Sequence, residues 1–202
     1  MTTLFLLRHG AVQTDDLMYG QRDVPLTEVG LAQARWAADA LAGEPLQAVY
    51  SSDLSRARTG AELVASFHAG VEARADAAFR EMSLGILEGV ALEAAREKFP
   101  DLVRKRYVDM LDYAFPEGES IADVAARALP ALEALVEQHA GHAFALVAHN
   151  TVNRLVLGTA LALPREGIFS FRQSFGCINR IDYEPECARV SLMNLTAKGV
   201  RA

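Results

Sequence analysis

Residues Thr2 to Ala11 read TTLFLLRHGA, and the way this run ends decides how the rest of the chain is understood. The segment from Thr3 to Leu7 has the length and apolar content of a buried strand, yet it stops in Arg8 and His9, followed by Gly10. A guanidinium at the edge of a core is costly to desolvate, so it needs a partner or a ligand. The neighbouring segments supply a frame for that arginine. Thr27 is placed to cap EVGLAQARWAADALAG, whose apolar positions recur at helical spacing as far as Gly43; LQAVYSS then reads as a strand and DLSRARTGAELVASF as a helix. Strand, helix, strand, helix predicts an α/β fold of three-layer α/β/α type, with a mostly parallel sheet covered by helices on both faces.

The middle of the chain breaks the alternation. ALEAAREKFPDLVRKRYVDM, from Ala91 to Met110, reads as two short helices divided at Pro100, and LDYAFPEGES reads as a loop with Pro116 and Gly118 as breakers. Residues 91–116 are therefore expected to form a small helical lid inserted within a single domain spanning 1–202. Ser120 and Asp123 have the spacing of a helix start, opening IADVAARALPALEALVEQHA, in which Pro130 is expected to kink or split the helix. HAFALVAHN is a second apolar strand ending in a polar pair and leads into the helical TVNRLVLGTALAL. GCINRIDY and ARVSLMNL alternate in the manner of strands about a turn at Pro185, which predicts a hairpin at a sheet edge.

Composition narrows the function classes. An apolar share of 51% and a charged share of 23% over 202 residues are those of an ordinary globular chain. A net charge of -6 leaves no basic surplus for a nucleic-acid backbone, although a local basic pocket for one phosphorylated metabolite remains open. No run is long enough to span a membrane, and no basic n-region precedes TTLFLLRHG, so a cytoplasmic location without a membrane partner is expected. Cys177 and Cys187 lack a CxxC spacing and read as reduced packing residues. No HExxH, Walker or GxGxxG pattern occurs, and His68, His139 and His142 have no matching carboxylates, with the last two read as surface residues. Neither a metal nor a cofactor is expected.

Ligands of open α/β sheets bind beyond the carboxyl ends of the strands. Those ends carry Arg8 and His9, then Arg56 just after AVYSSDLS, then His149 after FALVA. Arg56 falls near the first turn of its helix, where partial positive charge already sits, and an anion would relieve that conflict. Each residue alone has an ordinary structural explanation; together, at three strand ends, they point to a phosphoryl group.

LLRHG at Leu6 to Gly10 with SSDLSRARTGAEL at Ser51 to Leu63 resembles the histidine phosphatase superfamily, also called the phosphoglycerate mutase-like family. The resemblance continues through GQRDVPLTEVGLAQA, REMSLGILEG, FPEGES and LVAHN. It implies that His9 is the nucleophile that becomes phosphorylated, that Arg8, Arg56 and His149 hold the phosphoryl oxygens, and that Glu81 donates the proton, with Glu88 structural. Tyr19, Gln21 and Asn150 are the further substrate-contact candidates. EMSLGILEG and the chain length resemble the phosphatase branch, and within it RHGAV, YGQRDVPLTE and FGCINRIDY resemble the α-ribazole phosphatase group and related broad-specificity metabolite phosphatases, with mutase chemistry or a non-catalytic phospho-ligand binder as alternatives. The chain departs from the pattern at Ala11-Val12, at Tyr19, and at Asn150, where glycine is commonest in relatives. The implied partner is a small phosphorylated metabolite, handled by a monomer or homodimer.

Overall fold

The structure is a computed structural model, and it describes residues 1–197 except 15 and 110, with the side chains of 106–108 also left aside. In chain order the elements are β1 (Thr2–Arg8), α1 (Glu28–Leu41), β2 (Leu46–Ser51), α2 (Ser55–Ser66), β3 (Ala73–Ala75), α3 (Leu92–Lys98), α4 (Pro100–Val108), α5 (Ile121–Gln138), β4 (Ala143–Ala148), α6 (Asn150–Ala160), β5 (Ile178–Tyr183) and β6 (Ala188–Leu195). They build one sheet in the order β3-β2-β4-β1-β5-β6. The first four strands in that order run parallel, while β5 and β6 are antiparallel and form the edge hairpin.

Alternating residues of the central strands feed two cores. Leu4, Leu6, Phe144 and Leu146 pack with Val124 and Leu132 of α5 and Val152 of α6. Phe5, Leu7, Ala145 and Val147 pack with Ala37 and Ala38 of α1 and Ala57, Ala61 and Val64 of α2. This is the three-layer arrangement, with β4 buried along its whole length. Adjacent strands β1 and β4 send their following helices to opposite faces, which opens a crevice at their carboxyl ends. The register keeps those ends level: Arg8 pairs with Ala148, and Ser51 with Val147.

Local signals act as the sequence requires at several helix starts. The Thr27 side chain accepts from the Gly30 amide, and Ser120 and Asp123 form a reciprocal capping box. Pro100 stands at the first position of α4, where its missing N–H costs nothing. At the other end of the first strand the backbone is pressed close: a side chain on Gly10 would collide with the Gly30 carbonyl, and one on Gly30 with the Ala11 carbonyl.

Three expectations need correction. Pro130 does not split its helix, because α5 runs unbroken from Ile121 to Gln138. Pro130 and Ala126, whose carbonyl loses its amide partner, are both exposed, so water can serve that carbonyl while the opposite face stays packed. His139 is buried, unlike the exposed His142, and its Nε2 lies 2.9 Å from the Tyr50 hydroxyl, with the ring beside Phe144. Cys177 is a buried packing residue, but Cys187 is exposed in the hairpin turn; both are free thiols. No helix among the described residues is long and apolar enough to cross a membrane.

Candidate active site

His9 follows β1 directly and is 3% exposed. Its backbone amide donates to the Ala148 carbonyl, which ties it to the end of β4. Its ring Nδ1 lies 2.7 Å from the carbonyl oxygen of Gly10. A carbonyl only accepts, so Nδ1 carries the proton and Nε2 keeps its lone pair. Burial, then the nearby charges of Arg8 and Arg56, hold the His9 pKa well below the ordinary histidine value, with the Gly10 bond opposing them. The imidazole is therefore neutral and oriented at neutral pH.

Arg8 and Arg56 converge from two different strand ends. Arg8 donates from Nη1 to the Gln173 carbonyl and lies 3.9 Å over the ring of Phe175. Arg56, at the second position of α2 and 1% exposed, donates to the carbonyls of Arg22 and Gly20 and lies 5.4 Å from the centre of the Tyr19 ring. The Nε of each arginine is buried without a hydrogen-bond partner among the described residues. Two orphaned cationic donors beside one neutral imidazole are costly unless an anion accepts from them.

The loop that receives Arg56 is itself fixed by one carboxylate. Glu88 accepts from the backbone amides of Gly20, Gln21, Arg22 and Leu84 at 2.8 to 3.0 Å. With those amides turned to Glu88, the carbonyls of Gly20 and Arg22 are held for the arginine. Glu88 is thus a structural residue of the site.

His149 ends the same crevice, fully buried, with its ring 5.1 Å from that of His9. Its Nε2 is 2.6 Å from the Ser52 hydroxyl, and its Nδ1 is buried without a partner among the described residues. Burial, then the neighbouring His9 ring and the charges of Arg56 and Arg8, lower its pKa well below the ordinary value. With Ser52 donating to Nε2, the neutral ring presents Nδ1–H as a third donor.

Glu81 joins this group from the loop between Phe79 and Gly85, half-buried. Its Oε1 accepts from the amide of Met82 at 2.7 Å, and its Oε2 from the amide of Thr151 at 3.2 Å, in the first turn of α6. Its backbone is held by Arg127, which donates to the carbonyls of Ala78, Arg80 and Glu81 while pairing with both oxygens of Glu119. A cavity of about 220 Å³ opens in front of His9, lined by Arg8, His9, Tyr19, Glu81, Met82, Leu84, Asn150 and Thr151. Among the described residues, none of α3 or α4 lines it.

The structure thus brings Arg8, His9, Arg56, Glu81, His149, Tyr19 and Asn150 to one crevice. Gln21 stands apart: its amide is engaged by Glu119 and Arg80, away from the lining. Asn150 is the first residue within α6, and His149 stands at its cap position. The lid residues Arg106 and Tyr107 lie outside the described side chains. Sequence reasoning missed Ser52, Thr151, Arg127, Glu119 and Gln173. Ser52 alone had a usable signal, a small hydroxyl residue directly after β2.

Residues 4–196 match the histidine phosphatase superfamily (branch 1). Over 187 residues the chain is 30% identical to a Yersinia pestis protein named "Probable phosphoglycerate mutase GpmB", covering 91% of this chain and 86% of that protein. Among solved structures it is similar to the α-ribazole phosphatase of Shigella flexneri, with a TM-score of 0.87, 26% identity and 96% of each chain covered. It is also similar to a mycobacterial glucosyl-3-phosphoglycerate phosphatase in complex with VO3, with a TM-score of 0.83 and 26% identity over 95% of this chain and 98% of that one. The chain belongs to the histidine phosphatase superfamily. By class it is a phosphoric monoester hydrolase.

Proposed function

We propose that the protein is a metal-independent phosphomonoesterase that hydrolyses a small phosphorylated metabolite through a phosphohistidine on His9. The observation that carries this reading is the bond from Nδ1 to the Gly10 carbonyl, which leaves an unprotonated Nε2 beside two arginines with orphaned Nε–H groups. In the first step the Nε2 lone pair forms a bond to phosphorus, the ester P–O bond breaks, and the leaving alkoxide takes a proton from the Glu81 carboxyl group. In the second step the Glu81 carboxylate takes a proton from water, the oxygen bonds to phosphorus, and the P–N bond breaks to return its electron pair to Nε2. Arg8, Arg56 and Nδ1–H of His149 hold the three equatorial oxygens, so positioning and charge stabilisation come from side chains already in place.

The names of the related phosphatases support α-ribazole 5'-phosphate as a first substrate to try. Phosphoryl transfer of the mutase type is a second reading, favoured by the Yersinia pestis relative. Inorganic phosphate release in the presence of a chelator, measured over a panel that includes α-ribazole 5'-phosphate and 3-phosphoglycerate, tests both. Release by the wild type and none by His9→Ala supports the phosphatase; isomerised phosphoglycerate without release replaces it with the mutase.

A further inference from the structure

We infer that Asn150 recognises a hydroxyl group on an uncharged alcohol portion of the substrate, and that Arg154 sets the Asn150 amide for that contact; this rests on the phosphatase reading above. Asn150 is the first residue of α6 and lines the cavity. Its Oδ1 accepts from the Nε of Arg154 at 3.1 Å, four residues further along the same helix face. A guanidinium has donors only, so the amide cannot turn over without setting NH2 against N–H. The Nδ2 donors therefore face away from Arg154, and no protein acceptor takes them among the described residues.

Arg154 is held firmly enough to act as that reference. Its Nη1 donates to the carbonyls of Ile168 and Phe171 at 2.7 and 2.6 Å, and its guanidinium lies 5.9 and 5.6 Å from the rings of Phe169 and Phe171. It is a positioning residue, since it works through Asn150.

The rest of the cavity limits what the amide meets. Tyr19, Met82 and Leu84 give an apolar wall, and Arg8 is the one cation among the described lining residues. That charge belongs to the phosphoryl end, beside His9. A carboxylate or second phosphate on the leaving group would lie near the Glu81 carboxylate, and the nearest further cation, Arg154, stands outside the lining with its Nε and Nη1 already donating to Asn150, Ile168 and Phe171, so binding such a group is costly. A hydroxyl instead accepts from Nδ2 and leaves its carbon skeleton against Met82 and Leu84. The substrate class is a phosphate monoester of a neutral, hydroxylated alcohol.

Three substrates of similar size separate these contributions: glycerol 3-phosphate, propyl phosphate, which lacks the hydroxyls, and 3-phosphoglycerate, which carries a carboxylate instead of the terminal hydroxymethyl group. In the wild type kcat/KM is expected to be about tenfold higher for glycerol 3-phosphate than for either of the others. In Asn150→Ala the glycerol-to-propyl ratio should fall at least fivefold, chiefly through KM for glycerol 3-phosphate. Arg154→Lys, which keeps the charge and loses the Nε donor, should lower the same ratio by a smaller factor. A ratio unchanged in Asn150→Ala, or a wild-type preference for 3-phosphoglycerate, overturns the inference while leaving phosphatase activity that requires His9 intact. Wild-type protein that releases phosphate from none of the three, nor from any compound of the wider panel, overturns the phosphatase reading and this inference with it.

Discussion

Arg56 in α2 and Arg104 in α4 are both arginines of short helices, and their surroundings differ in every respect that matters. Arg56 is 1% exposed, bonded to two backbone carbonyls and left with an orphaned Nε. Arg104 has a side chain 77% exposed and reaches Asp101 only at 3.9 Å. The first belongs to a floor of groups held by the sheet itself, level with the ends of β1, β2 and β4. The second belongs to a pair of helices that, among the described side chains, meet the core through Leu92, Ala95, Phe99 and Val103. Rigid, desolvated charge is what phosphoryl transfer uses, whereas solvated charge contributes little to either stability or catalysis. The difference teaches that the count of basic residues in a segment says less than the number of fixed backbone groups each one meets.

Removing the floor's central group should have the largest effect. His9→Ala is expected to lower phosphate release by on the order of 10⁴-fold or more, since His9 is the one imidazole among the described residues that line the cavity. Arg56→Met comes next, with an expected loss of about 10²- to 10³-fold in kcat/KM. The same variant should lose the rise in Tm that inorganic phosphate gives the wild type, which separates a lost anion site from a general loss of fold. A variant that stays within tenfold of wild type would place Arg56 with Arg104, and the comparison would break.

Glu88→Gln tests whether the floor depends on its supports. The amide keeps one acceptor oxygen for four N–H groups, so a stability loss of about 2 kcal/mol is expected in denaturant titrations, with activity about tenfold lower. The pH dependence sharpens the contrast further. Burial, with adjacent positive charge, keeps His9 and His149 neutral in the folded chain to well below the ordinary value of 6.5. Once the pH falls below that value the unfolded chain binds more protons, so stability is full above it and declines as the pH drops toward the folded-state values. His139, lowered mainly by burial, adds to the same slope. Thermal melts from pH 7.5 to 5 should therefore be steeper for the wild type than for the double variant His9→Gln, His149→Gln. Arg104→Ala should do least, within about 0.5 kcal/mol of wild-type stability.

What the sequence disclosed divides along the range of the interactions. Caps at Thr27 and Ser120, the helix start at Pro100 and the edge hairpin depend on residues a few positions apart, and they were legible. The gathering of Arg8, His9, Arg56 and His149 was legible for a related reason: each follows a strand end, and parallel strands bring those ends together. The burial of His139 was not, because its partner Tyr50 lies 89 residues away. β3 was missed since ARA carries no apolar pattern. Gln21 misled by its nearness to Tyr19; Glu88 takes the backbone of this loop, and Glu119 and Arg80 take the Gln21 side chain. The support of Glu81 by Arg127 spans 46 residues and leaves no trace in spacing.

The contact between Gly10 and Gly30 constrains how this chain can change. Added carbon on either residue meets a backbone carbonyl of the other's segment, and backbone cannot be trimmed by substitution. No second mutation makes room for the first. A library randomised at both positions and selected for activity should return glycine at each, as two independent demands with no compensating pair between them.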